Sequence, residues 1–137
     1  MKSARGTFLS IFLAFILGAC ASSSPGNHGG VSRESHARAL INKGVALREL
    51  GKPEAAIAAY DQLEERFGKE DSPAMRELVA TALINKGAAL MKQGKPEAAF
   101  AAYDQVEARF GQDESPGMRE MVECARDAKS RLPDSEP

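Results

Sequence analysis

The sequence predicts an all-α protein, a short array of helical hairpins stacked as an α-solenoid. The first observation is internal repetition. LINKGVALRELGKPEAAIAAYDQLEERFG, starting at Leu40, returns as LINKGAALMKQGKPEAAFAAYDQVEARFG, starting at Leu83, an offset of 43 residues. The second is periodicity, because Ala56, Tyr60, Leu63 and Phe67 fall at i, i+4, i+7 and i+11, one face of a helix. The third is composition: Ala is abundant, Trp is absent, and no alternating β-branched run occurs. Ser72-Pro73-Ala74-Met75-Arg76-Glu77 recurs as Ser115-Pro116-Gly117-Met118-Arg119-Glu120, and the match fades by about Ala125. The chain therefore holds two complete units and the first part of a third.

Each helix follows from its punctuation. The first is expected over about 34–50 and stops at Gly51, since glycine takes the left-handed conformation at low cost. Pro53 and Glu54 open the second, about 54–68: proline lacks an N–H that would be unpaired there, and the carboxylate suits the helix dipole. Ser72 as N-cap and Pro73 behind it open the third, about 73–93. Gly94, Pro96 and Glu97 repeat the turn into the fourth, about 97–111, whose face is Ala99, Tyr103, Val106 and Phe110. Ser115 and Pro116 open the fifth, about 116–132. It has no following partner, so it is read as a cap whose outer face carries Lys129 and Arg131. Gly44 and Gly87 lie inside helices, where glycine costs about 1 kcal/mol relative to alanine. Close approach of the partner helix carrying Ala56 or Ala99 is the expected compensation.

Composition excludes several functions. With 18 basic and 19 acidic residues, nothing marks an electrostatic nucleic-acid binder. Two Cys and two His are too few for a disulfide framework or a cluster-type metal site, and His28 and His36 lack companion ligands. No phosphate-cradling glycine loop and no Ser/His/Asp or Cys/His set is present, so neither an enzyme, a cofactor nor a metal is expected. Cys124 stands where the preceding copy has Thr81 and reads as a small apolar helix residue. Glu70-Asp71 and Asp113-Glu114 precede helix starts, where the dipole and water favour them.

The first twenty residues read as an address. Lys2 and Arg5 precede an apolar run from Phe8 to Leu17, too short to span a bilayer and suited to a secretion signal. Leu17-Gly18-Ala19-Cys20 resembles the lipobox of bacterial lipoproteins. The resemblance implies removal of residues 1–19 and acylation of Cys20, with membrane attachment through it. Ala21 is not the Asp that tends to retain Gram-negative lipoproteins in the inner membrane, so the implied location is the outer membrane, facing the periplasm. A Gram-positive source would place the anchor on its single membrane. Without acylation, a Cys20–Cys124 disulfide becomes open in an oxidising compartment. Residues 20–33 supply the lipidated Cys and a Ser, Gly and Pro-rich flexible tether, 34–132 the helical domain, and 133–137 a disordered tail.

Gly44, Leu47, Gly51, Ala56 and Tyr60 fall at the spacing of the tetratricopeptide repeat (TPR) signature, as do Gly87, Leu90, Gly94, Ala99 and Tyr103. The chain resembles a long-helix TPR array of about two full repeats plus a C-terminal capping helix. It departs from the pattern in having Leu40 or Leu83 at the Trp-like first position and Gly68 or Gly111 in place of the closing Pro. Its period is 43 residues and not 34. The resemblance implies a protein-binding groove lined by the first helix of each hairpin. Carried over by position, the groove residues are Arg38, Ile41, Asn42, Val45 and Arg48 in one unit. The next unit supplies Thr81, Ile84, Asn85, Ala88, Met91 and Lys92. Glu49 and, from the capping helix, Cys124, Asp127, Ala128 and Arg131 extend it. Asn42 and Asn85 could pair with both N–H and C=O of an extended peptide, or instead satisfy nearby helix groups or face water. The expected partner is a protein or extended peptide of the cell envelope, met by an adaptor or scaffold. The alternative is a self-associating structural lipoprotein, in which the open ends of a short array stack as a homodimer.

Overall fold

The computed structural model describes residues 32–132. The expected signal of residues 1–19, the expected lipidated Cys20 with its tether as far as residue 31, and the expected tail at 133–137 lie outside the described residues. Five helices follow one another: α1 (Arg33–Glu49), α2 (Pro53–Phe67), α3 (Pro73–Lys92), α4 (Pro96–Phe110) and α5 (Pro116–Ser130). Each lies within two residues of the bounds its punctuation predicts.

The turns repeat in detail. Gly51 and Gly94 adopt φ of 73° and 71°. At the first, the amide of Lys52 donates to Leu47 O at 2.9 Å and that of Gly51 to Arg48 O at 3.1 Å. At the second, Lys95 donates to Leu90 O and Gly94 to Met91 O, both at 3.0 Å. This double closure satisfies helix-end carbonyls and reverses the chain. At the other edge Ser72 Oγ caps α3 by accepting from the Met75 amide at 3.3 Å. The copy differs at Ser115, which occupies the N-cap position without a capping hydrogen bond from its side chain. Asp113 Oδ1 accepts the Ser115 amide at 2.9 Å instead, and Arg76 Nη2 holds the other carboxylate oxygen at 2.9 Å.

α1 packs on α2, α2 on α3, α3 on α4 and α4 on α5. In addition α1 touches α3 and α3 touches α5, whereas α2 and α4 do not meet. Side-by-side first helices and separated second helices bend the stack, with α1, α3 and α5 on the inside of the curve. α3 is covered on both sides, which is why Met75, Val79, Ala80, Ala82, Leu83, Gly87, Ala89 and Leu90 are all buried in it.

The two rows of α3 account for both ends of the array. Met75, Val79 and Ala82 become Met118, Val122 and Ala125 in α5, all buried, but Ser32 at the N-cap of α1 and His36 and Ala39 within it, all exposed. Ala80, Leu83, Ile84 and Gly87 correspond to Ala37, Leu40, Ile41 and Gly44 in α1, all buried. In α5 the same positions are Glu123, Arg126, Asp127 and Ser130, all exposed. Each terminal helix keeps the apolar row that has a neighbour and is polar along the row that has none.

One expectation is sharpened and two need correction. A Cβ on Gly44 would lie 2.5 Å from Tyr60 Cζ, and one on Gly87 2.5 Å from Tyr103 Cε1. The partner helix carrying Ala56 or Ala99 does approach closely, and it is the tyrosine ring of that helix that fills the space each glycine leaves. Lys129 does not face outward: its Nζ reaches Asp104 Oδ1 at 3.0 Å and Glu107 Oε1 at 2.8 Å on α4 and lies 4.8 Å from the Phe100 ring centroid. Cys124 is exposed, because the Thr81 position it copies is covered only by a following unit. Thr81 itself lies 3.8 Å from Met121 Sδ of α5.

Candidate functional site: the concave face

The inside of the curve is built from one stripe each of α1, α3 and α5. Arg38 and Asn42 project from α1 and are exposed, with Val45 and Arg48 half-buried beyond them. On α3, Thr81, Ile84, Asn85 and Ala88 are half-buried, while Met91 and Lys92 are exposed. Ile41 is displaced from the predicted set: at 8% exposure it belongs to the core, because it shares the buried row of Ala37 and Gly44. Among the apolar candidates, Met91 is the one that stands clear, at 37% exposure. On α5 Cys124 is exposed and Ala128 half-buried, and Asp127 pairs with Arg131 at 2.7 Å.

The two asparagines have different surroundings. Asn85 Nδ2 donates to Thr81 O at 3.0 Å, and Asn85 Oδ1 accepts from Arg48 Nη1 at 3.2 Å. Its amide thus ties α1 to α3, while Thr81 Oγ1 donates to Glu77 O at 2.8 Å. Asn42, a unit earlier, is exposed on the face. At the next seam Arg48 is replaced by Met91 and Asn85 by Ala128, so the polar bridge becomes an apolar pair. The polar bridge is thus confined to the α1–α3 seam, while the α3–α5 half carries Met91 and Ala128 beside the Asp127–Arg131 pair.

Beneath it lie Tyr60, fully buried, and Tyr103. Burial pushes both phenols up, against the opposing positive charge of Arg48. Tyr60 Oη has no hydrogen-bond partner. Sequence reasoning missed this Arg48–Asn85–Tyr60 grouping, although comparing the units pair by pair exposes the joint change of Arg48 and Asn85.

On the outer side, ion pairs repeat at each seam. Lys86 Nζ meets Asp61 Oδ1 at 2.6 Å and Glu64 Oε2 at 3.6 Å, as Lys129 meets Asp104 and Glu107. A cavity of about 390 Å³ opens between α4 and α5, lined by Phe100, Glu107, Arg126, Lys129, Ser130 and Leu132. Three of the equivalent positions one unit earlier, Leu83, Gly87 and Ala89, are buried, with Tyr103 of α4 over Gly87. The cavity is the seat that a second helix of a third hairpin would take, and Arg126 bridges to Glu107 at 3.0 Å beside it. Among the described residues no group of three or more His, Cys, Asp or Glu is placed to hold a metal ion. No helix among them is long and apolar enough to cross a membrane.

Repeating antiparallel hairpins with one exposed inner face define a helical-repeat interaction module. The sequence model of the tetratricopeptide repeat matches residues 30–72 and 41–114, together more than half of the chain, and the protein belongs to the tetratricopeptide repeat family. No curated protein and no solved structure is similar enough to match.

Proposed function

We propose that the protein is a lipid-anchored interaction module of the bacterial cell envelope, serving as an adaptor or scaffold in envelope assembly. Its concave face takes an extended segment of a partner protein. The observation that carries this reading is the packing asymmetry: the inner helices touch and leave Arg38, Asn42, Met91 and Lys92 exposed along one curved surface. The anchor rests on the sequence of residues 1–20, and the absence of Asp after Cys20 favours the outer membrane, facing the periplasm. Self-association by end-to-end stacking is the second reading. The polar row Glu123, Arg126, Asp127 and Ser130 counts against it.

The test joins intact mass and membrane fractionation of the full-length protein to site-specific photo-crosslinking in the envelope. Loss of residues 1–19 with added acyl mass, and release of Cys20→Ala from membranes, is the expected result for the anchor. Crosslinker at Asn42 or Met91 should capture a partner that crosslinker at the outer residue Ala101 does not. An unmodified soluble product would remove the anchor, and equal capture from both faces would remove the groove.

A further inference from the structure

Both internal seams are made the same way. α2 covers one row of α3, and α4 covers the same row of α5. A lysine in that row grips an aspartate and a glutamate three residues apart on the covering helix: Lys86 with Asp61 and Glu64, Lys129 with Asp104 and Glu107. Four residues before each aspartate the covering helix carries an apolar side chain, Ile57 or Phe100, and the Phe100 ring lies 4.8 Å from Lys129 Nζ. One unit back, the same row of α1 reads Ser32, His36, Ala39, Lys43, Ala46 and Leu50, all exposed. It opens polar, as an end of the array requires, but its last two turns set Lys43 among Ala39, Ala46 and Leu50. Lys43 forms no ion pair among the described residues. The row holds no carboxylate, and Glu49 lies instead on the stripe of Asn42. Leu50 is 71% exposed, whereas its counterpart Gln93 faces the Glu54 carboxylate at the start of α2.

We propose that the last two turns of α1 are a docking seat for an amphipathic helix of another protein, one that brings paired carboxylates to Lys43 and an apolar side chain to Leu50. The internal seams supply the template. Asp and Glu three residues apart share a helix face, and the apolar residue four before the Asp covers the lysine stem. Leu50 adds selectivity. The position that meets it lies seven residues before the Asp, where α2 has Glu54 and α4 has Glu97, so a helix that fits α1 carries an apolar residue there. This chain holds no such helix. Its two carboxylate pairs are engaged in the seams, residues 1–31 contain no Asp or Glu, and Asp134 and Glu136 stand two apart at the other end of the chain. A second copy would press Glu54 or Glu97 onto Leu50, covering a carboxylate with an alkyl group. The seat is separate from the concave face, so one partner can dock here while that face holds another segment.

The experiment titrates the full chain in detergent against a fluorescein-labelled peptide of residues 53–67 carrying Glu54→Leu, stapled on its outer face to hold it helical. Anisotropy should rise with the wild-type chain, and Lys43→Glu should weaken binding about fivefold. Asp61→Lys/Glu64→Lys in the peptide should weaken binding to the wild-type chain and restore it to Lys43→Glu, a rescue that neither misfolding nor general adhesion produces. The peptide without Glu54→Leu should bind the wild-type chain less well, and Leu50→Gln in the protein should reverse that preference. No binding by the wild-type chain overturns the proposal, as does equal binding by the wild-type and Lys43→Glu chains. A wild-type chain that prefers the peptide retaining Glu54 would overturn it in favour of a second copy as the occupant.

Discussion

At the scale of single residues, the tightest constraint is the contact of a tyrosine ring with a helix glycine. Because a Cβ on Gly44 would meet Tyr60 at 2.5 Å from Cζ, Gly44→Ala forces the ring out of a fully buried position. The expected loss is about 1–3 kcal/mol, the usual cost of overpacking, and urea unfolding measures it. Gly44→Leu should lower the melting temperature further, and unchanged stability in both variants would refute this account. Tyr60→Phe is the informative counterpart: the Oη it deletes has no partner, so the variant should be as stable as the parent or more so. Tyr60→Ala should cost about 3–5 kcal/mol. The sequence marks the glycines as anomalies, since they break a helical pattern at the same place in each unit. It does not show what covers them, because the answer lies four residues beyond Ala56 and Ala99, in a ring reaching back across the hairpin.

At the scale of elements, two N-caps with the same wording do different work. Ser72→Ala removes the hydrogen bond to the Met75 amide and should cost about 1 kcal/mol, whereas Ser115→Ala should shift the thermal midpoint far less. The start of α5 depends on Asp113 instead. The amide and hydroxyl of Ser115, with the Arg76 charge, hold its carboxyl below the usual aspartate range. At the α4–α5 seam, hydrogen bonds from Lys129 and Arg126 hold Glu107 below the usual glutamate range. A carboxylate depressed in the folded state contributes stability above its unfolded value and loses it as pH falls through the folded one. Glu107→Gln should therefore flatten the decline in melting temperature on acidification below the ordinary glutamate range, and an unchanged profile would count against this seam. The helix bounds were legible because Gly, Pro and Ser act locally. The partner of Lys129 was not: periodicity assigns a residue to a face, but which helix that face meets depends on the stack.

At the scale of the molecule, the array ends because its terminal helices are polar along the rows that lack neighbours. We expect the full chain to behave as a single protomer in detergent, which would solvate the proposed acyl anchor. The fourfold variant Glu123→Ala/Arg126→Leu/Asp127→Ile/Ser130→Gly restores the apolar row of α3 on α5 and should drive association. Sedimentation of both proteins checks this, and a parent that self-associates as readily as the variant would revive end stacking. The concave face was legible as a location and less so as chemistry. Asn42 and Asn85 are identical in sequence context, yet only Asn85 has an Arg48 from the preceding unit to bind, since α1 is first in the array.

The seams have a consequence for inheritance. Lys86 and Lys129 grip their neighbours through the same pair of carboxylate positions, so the α2–α3 and α4–α5 joints are chemically interchangeable. A duplication of one 43-residue copy by unequal recombination would create only junctions that the protein already contains, and would lengthen the curved face without inventing an interface. A deletion of one copy would also leave a joint of the same kind, but would remove the only helix among the described residues that is buried on both sides. Gain of a unit is thus structurally cheap and loss is not, which sets a direction in which such a gene can change length.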